Sequence, residues 1–152
     1  MFKLKVLVIP TNPARRTVSI AEAFRTALVV SNHLPDLADN KKVLTREMFA
    51  SMRPNATFIN TGRGAQVDEE GLIEVLKERK DLKALLDVTD PEPPVPGSPL
   101  YTMPNVFLST HIAGSLQDEV HRMADFVIAD CKNFISGAPL EYEVTREVLS
   151  YR

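Results

Sequence analysis

The sequence predicts an α/β fold built on a doubly wound parallel sheet. Short apolar runs alternate with helical patterns along most of the chain, which is the order expected of strands separated by helices. The runs are apolar throughout, as is typical of strands buried on both faces of a parallel sheet. With 152 residues and 44% hydrophobic content, the chain is long enough for one such domain.

The predicted strands are short segments rich in β-branched and aliphatic residues, each bounded by polar or breaking residues. They are KLKVLVI (3–9), LVVSN (28–32), TFIN (57–60), KALLDV (83–88) and NVFLS (105–109). The first ends at the breaker cluster PTNP, which marks the start of a loop.

The predicted helices lie between these strands and are marked by capping residues. Ser19 and Glu22 have the spacing of a capping box, which predicts a helix through IAEAFRTA (20–27). Thr45, Asp68 and Ser115 are the expected caps of the three later helices, and Gly137 is expected to end the last one. The last helix carries an apolar stripe that includes Met123 and Cys131, and we expect this stripe to be core.

The segment TDPEPPVPGSPLYTMPN (89–105) contains six prolines in seventeen residues. It is too broken for regular secondary structure and too long for a simple connection, so it is expected to be functional or disordered.

Composition excludes several classes of function. A formal net charge of −2 with interspersed acids and bases gives no electrostatic footprint for nucleic acid, and no run of apolar residues is long enough for a membrane span. The single cysteine, Cys131, cannot form an internal disulfide, and the chain shows no leader pattern, so we expect a cytoplasmic protein. His33, His111 and His121 lack a metal-ligand spacing, so no metal is predicted.

In parallel α/β sheets, ligands bind beyond the carboxyl ends of the strands. The residues at those positions are 33–35, 61–64, 87–92 and 110–114. They include an arginine, acids and a histidine that one topology would bring to the same edge. Gly62 and Gly64 are expected to let the backbone turn sharply, leaving Arg63 free to bind a planar anion such as a carboxylate.

Three segments in this order resemble a known family: FINTGRGAQVDEEGL (58–72), ALLDVTDPEP (84–93) and NVFLSTHIAGS (105–115). They are similar to the D-isomer-specific 2-hydroxyacid dehydrogenases, which include phosphoglycerate, glyoxylate and hydroxypyruvate reductases. The resemblance implies a Rossmann-like nucleotide-binding domain over residues 1–137, incomplete at its amino-terminal end. It also implies that residues 138–152 correspond to the segment that returns to a substrate domain.

The resemblance places the catalytic arginine on Arg63, the glutamate on Glu92 and the histidine on His111. It implies that the cofactor is NAD or NADP and that the substrate is a small 2-hydroxy or 2-keto acid. The residues it places near the nicotinamide are Asn60, Thr61, Asp87 and Gly114, with His33 and Pro35 nearby. His111 would take the hydroxyl proton, Glu92 would stabilise the imidazolium, and Asp87 would orient the cofactor carboxamide. We expect the groups of Arg63, Glu92 and His111 to converge on one spot.

Each assignment has a structural alternative. His111 could cap the following helix, and Arg63 could be a solvated loop residue. Glu92 could serve only solubility, and Asp87 could accept backbone N–H groups at the end of its strand.

Two departures from the family pattern affect the cofactor. The sequence contains no G-x-G-x-x-G turn, whose helix would receive the pyrophosphate. Thr11 and Asn12 stand where an acid usually holds the ribose hydroxyls, with Arg15 and Arg16 just beyond. Neutral and basic groups there are compatible with a 2′-phosphate, so the sequence does not choose between NAD and NADP.

The KVLVI strand resembles the second strand of the family, so the central first strand has no counterpart in this sequence. An empty position would expose backbone groups along two strand edges. We expect either that KLKVLVI itself occupies the position or that two copies of the chain pair as a homodimer.

Three functional hypotheses therefore remain open. The chain is part of a longer dehydrogenase and is inactive or weakly active alone, or it is a short oxidoreductase completed by a partner chain. The third hypothesis is a non-catalytic oligomerising or ligand-binding module derived from the family.

Overall fold

A computed structural model of the chain describes residues 6–8, 18–34, 36–114 and 116–146, with backbone alone for 6–8. By its internal packing the chain divides into two units, residues 1–111 and residues 112–152. The predicted boundary after Gly137 is a different division, based on family resemblance, and stays a prediction.

In its described residues the first unit is a five-stranded sheet with three α-helices. Its strands are β1 (Val6–Val8), β2 (Val29–Asn32), β3 (Thr57–Asn60), β4 (Lys83–Leu86) and β5 (Val106–Leu108). Its helices are α1 (Ile20–Thr26), α2 (Arg46–Ala50) and α3 (Glu69–Glu78). All neighbouring strands are parallel, and their order in the sheet is their order in the chain.

The sheet confirms the predicted α/β, Rossmann-like class. β1 pairs with β2, with Val6 opposite Val29, so the described part of KLKVLVI forms the strand next to LVVSN. This is the position that the sequence left without a strand. The alternative, pairing between two copies, stays a prediction.

Two of the three predicted caps in this unit act as expected. The Ser19 hydroxyl accepts a hydrogen bond from the Glu22 N–H at 3.2 Å, and the Asp68 carboxylate accepts one from the Gly71 N–H at 3.3 Å. Each satisfies an amide that the first turn of a helix leaves unpaired. Thr45 precedes α2 but makes no side-chain capping hydrogen bond to it.

The core lies on one face of the sheet. Phe24 of α1, Phe49 of α2 and Phe58 of β3 form a ring cluster, with centroids 5.0 to 6.0 Å apart. All three side chains are buried, and the buried positions of the strands alternate along β3 and β4. Because the strand connections run in one direction, right-handed crossovers place these helices on the same face.

The opposite face of the sheet is partly open. Leu85 and Phe107 lie in register on β4 and β5, and they are 38% and 56% exposed. The prediction that strands are covered on both faces is therefore met on only one face by the described residues of this unit. The sequence suggested otherwise because apolar residues also occupy the outward positions.

The second unit contains one long helix, α4 (Asp118–Ser136), which ends at Gly137 in the left-handed conformation with φ 72°. The predicted cap, Ser115, lies outside the described residues; α4 begins after Gln117, two residues later than a cap at Ser115 would give. After Gly137, the Asp130 carboxylate accepts the N–H groups of Glu141 and Tyr142 at 2.9 and 2.8 Å.

The prediction that the apolar stripe of α4 is core is wrong for this structure. No described side chain of α4 is buried, Met123 is 53% exposed, and Cys131 is exposed. Among the described residues of this unit, the short segment after Gly137 packs on the helix through the rings of Phe126 and Tyr142, whose centroids are 5.0 Å apart. That segment is too small to cover a 19-residue helix.

Among the described residues no helix combines the length and the apolar character needed to cross a bilayer.

Candidate active site

Three buried amide side chains hold together the loops at the carboxyl edge of the sheet. The Asn32 Nδ2 group donates to Asn60 Oδ1 at 2.9 Å and to Gln66 Oε1 at 2.7 Å. Asn32 and Asn60 end β2 and β3 and lie in register, which brings their side chains together on the buried face. Because all three groups are almost fully buried, their mutual hydrogen bonds are needed to offset desolvation.

The same amides fix the backbone of the loops. Asn60 Oδ1 also accepts the Gly62 N–H at 3.1 Å, and Asn60 Nδ2 donates to the Arg63 carbonyl at 3.2 Å. Gln66 Nε2 donates to the Leu34 carbonyl at 2.9 Å. The loops after β2 and β3 are therefore bound to each other by side chains as well as by the sheet.

The glycines around Arg63 serve a different purpose from the one predicted. Neither Gly62 nor Gly64 has a positive φ, so the turn does not depend on a conformation reserved for glycine. Gly64 instead lies against the backbone of Thr89 and Asp90, where no side chain fits. The glycine is required by a close approach of two loops.

Arg63 lies on the rim of this edge with a half-exposed guanidinium. Its Nη1 donates to the Gly62 carbonyl at 2.9 Å, and its Nε lies 3.6 Å from Asp36 Oδ2. An exposed ion pair of this kind contributes little to stability, about 0 to 1 kcal/mol. The guanidinium can therefore exchange Asp36 for another carboxylate at small cost.

The proline-rich segment after β4 is ordered by contacts to its own backbone and to α3. The Thr89 hydroxyl donates to the Pro91 carbonyl at 2.9 Å, and the Tyr101 hydroxyl donates to the Pro94 carbonyl at 2.9 Å. The Asp90 N–H donates to the Glu69 carboxylate at 3.1 Å. Burial raises the pKa of the Glu69 carboxyl, and the hydrogen bond from Asp90 opposes that shift.

Glu92 and His111 form a close pair. The Oε1 atom of Glu92 lies 2.6 Å from Nδ1 of His111, and the two side chains are 41% and 46% exposed. Cis peptide bonds precede Pro91 and Pro93 on either side of Glu92. His111 has a φ of 57°, a left-handed conformation that non-glycine residues seldom adopt and that often marks a functional position.

A cleft of about 330 Å³ opens beside this pair. Asp87 lies in its wall and accepts a hydrogen bond from the Ser109 hydroxyl at 2.5 Å. The lining residues are Asp87, Thr89, Glu92, Pro93, Pro94, Tyr101, Leu108, Ser109, Thr110 and His111. Apolar walls with a few convergent polar groups are the usual composition of a small-molecule site.

The structure thus brings Glu92, His111 and Asp87 to one cleft, whereas Arg63 is not among the residues that line it. Convergence is observed for two of the three predicted catalytic residues. Arg63 belongs to the same carboxyl edge, but its described contacts are with Asp36 and Gly62.

The other predicted residues are distributed along the edge. Asn60 is part of the buried amide network, and Thr61 follows it, partly exposed. His33 is exposed, with Nε2 2.8 Å from the Ser31 hydroxyl. Gly114 belongs to the second unit and has a φ of 92°. Thr11, Asn12 and Pro35 lie outside the described residues.

Sequence reasoning missed several residues of this edge. Ser109 was assigned to a strand, but β5 ends at Leu108, so Ser109 is the first residue beyond it. The rule that identifies strand-end residues would have found it with the correct boundary. Asn32 and Gln66 carry no chemical motif, and nothing in their spacing signals a buried pair.

Within the described part of the chain, no group of three or more histidine, cysteine, aspartate or glutamate side chains is placed to hold a metal ion.

These features define a class of protein: an α/β fold with a histidine–carboxylate pair and a cleft at the carboxyl edge of a parallel sheet. Residues 3–113 match the family model described as D-isomer specific 2-hydroxyacid dehydrogenase, NAD binding domain. The chain belongs to this family, which confirms the resemblance seen in the sequence.

Two relatives illustrate the match. Glycerate dehydrogenase of Methylorubrum extorquens is 30% identical over 138 residues, which cover 90% of this chain and 44% of the relative. Glyoxylate reductase of Thermofilum pendens is 35% identical over 124 residues, 82% of this chain and 37% of the relative.

Solved structures give the same result. The TT0316 protein from Thermus thermophilus superposes with a TM-score of 0.77 at 35% identity, covering 92% of this chain and 45% of that protein. An NADPH-dependent glyoxylate/hydroxypyruvate reductase from Sinorhizobium meliloti, solved with NADP and sulfate, gives 0.70 at 29% identity, with coverages of 85% and 42%. The chain spans less than half the length of these four relatives.

Proposed function

We propose that the chain is the nicotinamide-binding and proton-transferring part of an NAD(P)-dependent 2-hydroxyacid dehydrogenase. The observation that supports this most directly is the 2.6 Å contact between His111 Nδ1 and Glu92 Oε1, beside a cleft at the carboxyl edge of the sheet. Family membership supplies the reaction class, and the contact supplies a group able to move a proton.

The pair explains how one imidazole can serve as both base and acid. A carboxylate at Nδ1 favours the tautomer with hydrogen on Nδ1, so Nε2 is the atom that accepts a proton from a substrate hydroxyl. The same carboxylate stabilises the imidazolium that results. In the reducing direction, Nε2 returns that proton to the substrate oxygen.

The residues of the cleft fit the nicotinamide end of a cofactor. Pro93, Pro94 and Leu108 provide flat apolar walls, and the Asp87 carboxylate can accept a carboxamide N–H in addition to the Ser109 hydroxyl. Nicotinamide, when bound, supplies hydride transfer. The sequence offers no Gly-rich turn for the pyrophosphate, so that part of the fit is not met by a familiar motif.

Arg63 is the proposed group for the substrate carboxylate. Its guanidinium is half exposed, donates to the Gly62 carbonyl at 2.9 Å and lies 3.6 Å from an acid, Asp36. A bidentate pair with a 2-keto acid would replace this weak contact by two charge-assisted hydrogen bonds. Small 2-hydroxy and 2-keto acids are therefore the proposed substrates.

The chain spans less than half the length of its relatives. We infer that full activity requires a further segment or a partner chain, either a homodimer or another subunit. We also propose a cytoplasmic location. NAD and NADP remain alternative cofactors, because the sequence has Thr11, Asn12, Arg15 and Arg16 where a 2′-phosphate could be accommodated.

The test is a titration of the purified chain with NADH and with NADPH, followed by nicotinamide fluorescence. We expect binding of at least one cofactor, and weak reduction of glyoxylate or hydroxypyruvate at high protein concentration. His111→Ala should abolish turnover, while His121→Ala, on the exposed surface of α4, should not change it. Absence of binding by both cofactors, or turnover that survives His111→Ala, would contradict the proposal.

A further inference from the structure

Glu69 contacts the segment that carries Glu92, although it lies outside the cleft. It is the first residue of α3, directly after the cap Asp68, and its Oε2 atom accepts the Asp90 N–H at 3.1 Å. α3 is anchored in the core by the buried side chains of Leu72, Val75 and Leu76. Glu69 therefore links a helix that is anchored in the core to the proline-rich loop that carries Glu92.

The Asp90 N–H is a scarce anchor in this loop. Proline has no backbone N–H, so Pro91, Pro93 and Pro94 cannot donate. Between residues 90 and 94 only Asp90 and Glu92 carry an amide hydrogen. The contact with Glu69 uses one of two backbone donors that can hold this stretch in place.

The backbone just before Asp90 is restrained from another side. Gly64 approaches the Thr89 carbonyl so closely that no side chain fits between them. The Thr89 hydroxyl in turn holds the Pro91 carbonyl at 2.9 Å. Glu92 follows immediately, and its carboxylate meets His111.

We propose that Glu69 is a positioning residue: its carboxylate holds the Asp90 amide and so sets the point from which Glu92 reaches His111. The effect of this contact on catalysis rests on the proposed function, but the contact itself can be tested without measuring turnover. Glu69 is not placed in contact with substrate or cofactor.

A simpler role for Glu69 predicts different behaviour. An acid in the first turn of a helix stabilises the helix through its dipole, and Glu70 is in the same turn. If that were its whole contribution, the effect of a substitution would depend on the charge of the side chain and not on its length. Positioning requires reach and an acceptor oxygen, and does not require charge.

Two substitutions separate these roles. Glu69→Gln keeps the length and an acceptor oxygen but removes the charge, whereas Glu69→Asp keeps the charge and shortens the side chain by one methylene. Glu70→Gln, at the exposed neighbouring position, is the matched control. The conservative character of all three changes favours folding in each case.

The first measurement is amide hydrogen exchange of Asp90 by NMR in the full chain. We expect exchange to become roughly tenfold faster in Glu69→Asp, the loss expected for one hydrogen bond, and to stay within about twofold in Glu69→Gln and Glu70→Gln. Equal acceleration in Glu69→Gln, or none in Glu69→Asp, would overturn the proposal.

The second measurement is the ring ¹⁵N chemical shifts of His111, which report its tautomer. We expect Glu69→Asp to increase the population with hydrogen on Nε2, because Glu92 is less firmly placed at Nδ1, and Glu69→Gln to leave it unchanged. A faster Asp90 amide with unchanged His111 shifts would show that the contact exists but positions nothing. If the proposed function is wrong, a separate result shows it: the unaltered chain binds neither NADH nor NADPH.

Discussion

A Cβ atom at Gly64 would lie 2.0 Å from the carbonyl oxygen of Thr89. The loop that carries Arg63 and the loop that carries Glu92 therefore touch, backbone against backbone, at this point. The side chains of the candidate site follow different strands of the sheet. The contact between Gly64 and Thr89 therefore fixes the distance between the loop of Arg63 and the loop of Glu92.

Gly64→Ala should therefore be costly, because the obstructing atoms belong to backbone that cannot rotate away. We expect a loss of about 1 to 3 kcal/mol in unfolding free energy, the usual range for overpacking, measured by urea denaturation. We also expect displacement of the Glu92 loop, seen as changed His111 NMR shifts. Gly137→Ala is the comparison, because it adds a methyl group at a positive φ with open space around it and should leave His111 unchanged. Unchanged His111 shifts in Gly64→Ala would contradict this account.

The buried amide network gives a second prediction. Asn32→Leu fills a similar volume but removes the donor to Asn60 and Gln66. Gln66 Oε1 would lose its hydrogen bond from Asn32 in a buried position, at a cost of about 1 to 3 kcal/mol. Denaturant unfolding measures this cost. A change below about 0.5 kcal/mol would show that the network contributes nothing net, since substitutions without such a feature fall within that range.

A third prediction concerns pH. Two hydrogen bonds from the Arg79 guanidinium, at 2.8 and 2.9 Å, and one from the Asn55 N–H hold the pKa of Asp81 well below its ordinary value. Because the folded-state pKa is depressed, the stabilising contribution is present above the unfolded pKa of about 3.9 and is lost as pH falls below it.

Asp81→Asn should therefore lower the thermal midpoint at pH 7, and the difference from the unaltered chain should shrink between about pH 5 and pH 2. Thermal unfolding across this range measures it. Asp39→Asn, at an exposed position, is the control and should show no such convergence. A difference that stays constant with pH would indicate that Asp81 acts through packing and not through its charge.

The sequence allowed the prediction of elements whose cause is local. TFIN (57–60) was located to the residue, and Ser19 and Asp68 cap helices as expected, because strand composition and capping chemistry depend on a few neighbouring residues. The pairing of Glu92 with His111 is a contact between loops, and it was inferred from family resemblance combined with the strand-end rule.

What could not be predicted depends on packing between distant segments. The need for Gly64 arises from the Thr89 backbone, 25 residues away in sequence, and the Asn32–Gln66 hydrogen bond spans 34 residues. The exposure of one face of the sheet could not be predicted either. Leu85 and Phe107 are apolar residues, and their type alone does not show whether another segment covers them. We predicted burial on both faces from the apolar composition of the strands, and that composition does not show which segment, if any, packs on each face.

The two faces of the sheet give the last prediction. Phe49 is fully buried, with its ring 5.3 Å from Phe24 and 5.0 Å from Phe58 by centroid, so Phe49→Ala should remove about 3 to 5 kcal/mol of unfolding free energy. Phe107 is 56% exposed on the opposite face. Phe107→Ala should therefore lower the unfolding free energy by less than about 1 kcal/mol, since little contact is removed. Urea denaturation of the two variants at one protein concentration compares them directly. If Phe107→Ala were as costly as Phe49→Ala, the open face of the sheet would have to be covered in solution, and repeating the measurement at several protein concentrations would show whether a second copy of the chain covers it.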